Sequence, residues 1–230
     1  MEHPQEIGVI DDSEEGADML SLELKTAQFE PHVIGAESDL PYRNIDDLIE
    51  EIGDEGIDFV ICDYRLDHYD FARFNGAELA VRLYEEGIPT LLLSEYLEEA
   101  NNMKLRTLRD RIPVVLPRSR VSFSDRDSAL EVFNQCLRDI GGTPPPSRRP
   151  YRTVIQVLDI DQNSIDVVIP QWDEQQDVSL LEEDVTSSVG PVSPGDMLFA
   201  EVNLLADEKD ELFFRNFETA PDPSLPDELA

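Results

Sequence analysis

The apolar run Phe59 to Cys62, led in by Ile57, ends abruptly at Asp63, and a second run, Ile7 to Ile10, ends at the pair Asp11 and Asp12. Uninterrupted apolar runs of this length are what strands covered on both faces of a parallel sheet look like. Their carboxyl ends are where open α/β sheets place ligand crevices. Carboxylates brought together there repel one another unless a cation neutralises them. A hard divalent ion with water-filled sites, most simply Mg2+, suits Asp11, Asp12 and Asp63 as oxygen ligands. Ser94, at the end of the apolar run Pro89 to Leu93, adds a hydroxyl at the same sheet edge.

The elements that must position these groups follow from periodicity. Ser13 is placed to cap a helix running from Glu14 to Lys25 on Ala17, Leu20, Leu22 and Leu24, with Glu14 and Glu15 at its positive end. Phe29 to Ile34 reads as a strand and Ile45 to Ile52 as a helix. After Asp63, a loop from Asp67 to Asn75 leads to Gly76 and a helix over Ala77 to Glu86, closed by Gly87. A helix of strongly charged composition is expected over Glu98 to Arg111, with Leu105 and Leu108 as its apolar side. Ile112 to Leu116 and Ser128 to Ile140 complete a fifth strand and a fifth helix. Five alternating pairs predict a flavodoxin-like, doubly wound, five-stranded parallel sheet, in which the first and third strands are neighbours. That order brings Asp11 and Asp12 beside Asp63.

The segment GGTPPPSRRP, residues 141 to 150, is a stiff boundary. It separates residues 1 to 140 from a region, 151 to 220, whose periodicity turns to alternation. Arg152 to Ile160 and Ser164 to Ile169 read as a hairpin across Asp161, Gln162 and Asn163. Further strands are expected at Val178 to Leu181, Met197 to Leu205 and Glu211 to Phe217. A small all-β, barrel-like domain follows from this pattern, with residues 221 to 230 as a flexible tail.

Charge narrows the partners. With 51 acidic residues against 18 basic ones, the formal net charge is −33, so neither nucleic acid nor an anionic membrane is an expected partner. Cys62 and Cys136 form no disulfide framework or metal-ligand cluster. The amino terminus has no basic segment followed by an apolar run, so no signal peptide is expected and the default is a cytoplasmic protein.

Residues 6 to 140 resemble the receiver domain of two-component response regulators, on the acidic pair in VIDD, the acceptor strand VICDYRL, the NGAEL segment, LLLSEY ending in Ser94, and IPVVLPRSR. The resemblance implies that Asp63 accepts a phosphoryl group, that Asp11 and Asp12 hold Mg2+, and that Ser94 contacts the phosphoryl group. It also implies a histidine kinase or phosphotransfer protein upstream and an output protein downstream, with a homodimer compatible, and a signalling protein rather than an enzyme. The pattern departs from the family in three places. The lysine that receivers carry after the fifth strand is missing, with Arg118 the nearest substitute. The aromatic residue within that strand is missing too. The loop after Asp63 is long and carries His68, Tyr69, Phe71 and Phe74, whose aromatic members cover the pocket, make a partner contact or anchor the loop to the core. The competing expectation is a pseudo-receiver adaptor or phosphate sink that works by binding. A phosphatase reading lacks a general acid two positions after Asp63, where Arg65 stands.

Overall fold

The computed structural model describes residues 3–35, 41–67, 71–94 and 99–220. His68, Tyr69 and the tail 221–230 lie outside the described residues. The chain divides into two compact units, Met1–Leu97 with Arg111–Pro145 and Glu98–Asp110 with Pro146–Ala230. No helix among the described residues is long and apolar enough to cross a membrane.

In the first unit five parallel strands, β1 (Glu6–Ile10), β2 (Glu30–Val33), β3 (Phe59–Asp63), β4 (Thr90–Ser94) and β5 (Val114–Pro117), lie in the order β2-β1-β3-β4-β5. This is the flavodoxin-like order expected from the sequence. Register sets the edge of interest: Ile10 pairs with Cys62, Asp63 with Leu93 and Ser94 with Pro117. Alternate side chains point to opposite faces of a strand. Phe59 and Ile61 join Ile7, Val9, Leu91 and Leu93 in one core with Leu20 and Leu24 of α1 (Glu14–Thr26) and Phe133 and Cys136 of α5 (Arg126–Ile140). Phe133 is the hub, with its ring 4.4 Å from Phe59 and 5.4 Å from Phe29. Val60 and Cys62, on the other face, are equally buried, as are Leu48 and Ile52 of α2 (Ile45–Asp54) and Leu79 and Leu83 of α3 (Gly76–Glu85). Leu22 departs from the expected stripe and faces solvent.

The second unit holds an antiparallel sheet in the order β10-β9-β6-β7-β8, formed by β6 (Tyr151–Asp161), β7 (Ser164–Ile169), β8 (Asp173–Leu181), β9 (Met197–Val202) and β10 (Phe214–Thr219). Its core joins Ile155, Val167, Leu180, Ala200 and Phe214. The sequence led to an all-β region, and here the structure adds a helix, α6 (Glu182–Val189), which packs on β8 and β10. These edge strands are not hydrogen-bonded to each other, so pairing does not close the sheet into a barrel. Only Val185 and Val189 carry a helical spacing in this segment, too little to override the β pattern around it.

A second difference concerns α4 (Glu99–Arg106), which the sequence assigns to the first domain and the contacts assign to the second unit. Leu105 and Arg106 are fully buried. Arg106 Nη1 donates to the Ser179 carbonyl, and Thr107 Oγ1 donates to Asp184 Oδ2 at 2.8 Å. Desolvation lowers the pKa of the nearby buried Arg109 to about 10. A helix with so few apolar side chains finds its burial partner through tertiary contacts that its own spacing does not encode.

Asn203 secures the same unit. Its buried amide donates to the carbonyls of Ser147 (2.9 Å) and Glu211 (3.1 Å) and accepts from the Phe213 N–H at 2.7 Å. Replacing it with alanine orphans three backbone groups, so Asn203→Ala is expected to lower stability by about 2 kcal/mol. Urea denaturation followed by Trp172 fluorescence measures this, and an unchanged midpoint would contradict it.

Candidate functional site

The site sits at the carboxyl ends of β1 and β3, capped by the start of α1 and by the turn after β5. Ser13 caps α1 as the sequence predicts, accepting the Gly16 N–H at 3.2 Å. Its own N–H donates to Asp11 Oδ1 at 2.9 Å, which fixes one oxygen of that carboxylate. Asp63 is held in the same way, with Oδ2 accepting the Arg65 N–H at 2.9 Å.

Arg118, in the turn that follows β5, turns back over these acids. Its Nη1 donates to Asp11 Oδ2 at 2.6 Å and lies 4.0 Å from Asp63 Oδ1, while Nη2 donates to the Gly16 carbonyl at 2.8 Å. The Asp11 side chain is 3% exposed and that of Arg118 22%, so this ion pair is largely shielded from water. The Asp63 side chain is 12% exposed. Burial is the main cause that raises its pKa to about 7, the Arg65 N–H opposes it, and the charges of Asp11 and Asp12 add to the rise while Arg118 lowers it. Burial likewise raises the neighbouring Cys62 thiol, which points away from reactivity.

Two glycines, Gly16 and Gly76, make this geometry fit. A Cβ on Gly16 would stand 2.7 Å from Asp11 Oδ2 and 3.0 Å from Arg118 Nη2, and one on Gly76 would stand 1.9 Å from the Asp63 carbonyl oxygen. The signal was present in Gly16, since a glycine one turn into an otherwise well-formed helix costs about 1 kcal/mol against alanine.

The structure therefore brings Asp11, Asp63 and Arg118 into one cluster, with Asp12, half-buried, close enough to act on the charge of Asp63. Ser94 is buried at the end of β4, one residue beyond the Leu93 that pairs with Asp63. Among the described residues of the loop, Phe71 and Phe74 anchor it. The Phe71 ring lies 5.5 Å from that of Tyr42, its carbonyl accepts the Tyr42 N–H at 2.8 Å, and Phe74 is buried.

As these side chains stand they do not fit magnesium. Among the described residues no group of three or more His, Cys, Asp or Glu side chains is arranged to hold a metal ion. Asp11 and Asp63 each give one oxygen to a backbone N–H, and the guanidinium of Arg118 faces the other.

No protein-family model and no curated protein sequence matches the chain. Among solved structures, it is similar over 62% of its length to a signal receiver domain of an HD domain-containing protein from Pseudomonas fluorescens, covering 93% of that chain at 17% identity and a TM-score of 0.44. It is similar over 58% of its length to a response regulator receiver domain protein from Clostridium thermocellum, covering 94% of that chain at 16% identity and a TM-score of 0.42. A third, the chemotaxis protein CheY4 of Vibrio cholerae, gives 58% and 98% coverage, 14% identity and a TM-score of 0.41.

Proposed function

We propose that the first unit is a receiver-like signalling module that accepts a phosphoryl group on Asp63, and that the chain acts through protein contacts rather than as an enzyme. The observation that carries this reading is the placement of Asp63, whose side chain is largely shielded, at the end of the central strand of a flavodoxin-like sheet, with a guanidinium 4.0 Å from its Oδ1. In the transfer, a carboxylate oxygen of Asp63 forms a bond to phosphorus as the donor's P–O or P–N bond breaks, and the leaving group departs with the electron pair. The result is an acyl phosphate. Arg118 then exchanges part of its pairing with Asp11 for the phosphoryl oxygens, which its planar fork matches. A histidine kinase or phosphotransfer protein is the donor this reading calls for. The β4 strand that ends in Ser94 continues in the chain to α4, which belongs to the second unit, so the second unit is the natural place for an output partner to bind.

Incubation of the full chain with a small phosphodonor, followed by intact mass, tests the assignment. One adduct on wild type and none on Asp63→Asn is expected; equal labelling of the two proteins contradicts it. The nucleophile is the ionised carboxylate and Asp63 titrates at about 7. Labelling is therefore expected to fall roughly tenfold per pH unit below 7 and to level off above it. A flat profile would assign the adduct to another group.

A second reading, an adaptor that binds a partner without phosphoryl transfer, is favoured by the closed Arg118–Asp11 pair. Partner binding that survives Asp63→Asn unchanged, together with no adduct on wild type, selects it.

A further inference from the structure

One of the two acids at the centre of the site, Asp11, is already paired from within the chain, by a guanidinium that also faces the other, Asp63. Arg118 contacts Asp11 Oδ2 at 2.6 Å and the Gly16 carbonyl at 2.8 Å, and its Nη1 lies 4.0 Å from Asp63 Oδ1. The other oxygen of each acid already accepts a backbone N–H, Asp11 Oδ1 from Ser13 and Asp63 Oδ2 from Arg65, both at 2.9 Å. A hard divalent ion needs several oxygens directed at one point at close to 2 Å. Here the point that Asp11 and Asp63 share faces a guanidinium instead.

The surroundings hold the guanidinium in place. Asp11 is almost wholly buried, and separating a shielded ion pair leaves an uncompensated charge that is costly in a low-dielectric site. Gly16 contributes through what it lacks, because a methyl group there would press on Asp11 Oδ2 at 2.7 Å and on Arg118 Nη2 at 3.0 Å. Glycine at this position leaves room for the pair and lets the Gly16 carbonyl accept from Nη2.

We propose that Arg118 is the resident counter-cation of this pocket and that it excludes a divalent metal ion from Asp11 and Asp63. Part of the positive charge that magnesium would supply is built into the polypeptide, and a divalent ion enters only when the guanidinium leaves. This concerns the resting pocket and holds whether or not Asp63 takes a phosphoryl group.

The test uses Mn2+ as the probe, added to the full 15N-labelled chain. The acidic surface also attracts Mn2+, so the readout is local: paramagnetic broadening of the Ser13 and Arg65 amides, the two that touch Asp11 and Asp63. In wild type these signals are expected to fade no earlier than amides beside surface carboxylates. In Arg118→Gln they are expected to fade at Mn2+ concentrations at least tenfold lower than in wild type. Early, selective broadening in wild type overturns the proposal without recourse to any variant. Equal broadening in the two proteins, or its absence in a folded Arg118→Gln, overturns it too, because Arg118 would then not be what bars the ion. Arg118→Lys, which keeps a positive charge, is expected to broaden at concentrations closer to wild type than to the glutamine variant; behaviour like Arg118→Gln would count against the proposal. No phosphodonor is present, so the outcome is separate from that of the mass measurement on Asp63.

Discussion

Gly76→Ala is expected to be the most damaging single methyl group that can be added to this protein. The first residue of α3 lies directly against the end of β3, where a Cβ would stand 1.9 Å from the Asp63 carbonyl oxygen, 2.9 Å from its carbonyl carbon and 3.0 Å from the Cys62 sulfur. The nearest atoms are backbone, so no rotamer change relieves the overlap. The Gly76 N–H also donates to the Tyr64 carbonyl at 2.8 Å, and the capping box of Asn75 and Glu78 holds the helix start where it is. Either α3 moves away from the sheet or β3 shifts, and each loses well-packed core contacts. Overpacking of this kind costs about 3 kcal/mol or more. Chemical denaturation followed by far-UV circular dichroism, together with amide exchange over residues 59–63, measures the effect. A midpoint within error of wild type, with β3 equally protected, would show that the close approach has been misjudged. Because the displaced carbonyl belongs to Asp63 itself, labelling by a phosphodonor is expected to fall along with stability.

Asp63→Asn is expected to make the protein more stable at pH 8. The folded chain holds the Asp63 proton up to about pH 7, mainly because the carboxyl is buried, whereas the group's ordinary value is 3.8. Between those limits the folded state binds more protons than the unfolded state, so Asp63 makes stability fall as pH rises from about 4 to about 7 and become level above that. Three pH units correspond to about 4 kcal/mol. Asparagine never ionises, and the attraction of Arg118 is already contained in the net shift, so a gain on the order of 4 kcal/mol is expected at pH 8. It should shrink to near zero at pH 4. Other carboxylates act in the opposite sense; Asp125 and Asp173, for example, are held low by hydrogen bonds. The quantity to measure is therefore the difference between variant and wild type at each pH. A variant that is destabilised at pH 8, or a difference that does not change with pH, would mean that Asp63 is not a strained buried carboxylate. The same substitution removes the proposed acceptor, so stability gained and labelling lost in one protein would be the signature of a site that gives up stability for chemistry.

By itself the sequence determined the strands, their order and the identity of the central acids. The runs Ile7 to Ile10, Phe59 to Cys62 and Leu91 to Leu93 are short, apolar and stop at a polar residue, as strands buried on both faces do, whereas the edge strand β2 is polar and half-exposed. Five strands alternating with helices admit few topologies. In the one adopted, Asp11 and Asp63 must lie side by side, because the strands they terminate are neighbours.

Only the tertiary structure decided how the charges at that edge are matched. Nothing in LPRSR says that Arg118 reaches back to Asp11 and the Gly16 carbonyl, since a long side chain takes its direction from partners more than a hundred positions away. The closeness of Gly76 to the Asp63 backbone depends likewise on the way α3 is seated on β3. The same holds for α4, whose charged sequence fixes a helix but not the body that buries it, and for α6, whose two valines acquire a core only once β8 and β10 are in place. Periodicity is local and survives in the sequence, whereas the choice of partner for a lone arginine or a weakly amphipathic helix depends on distant groups and becomes definite only when the chain has folded.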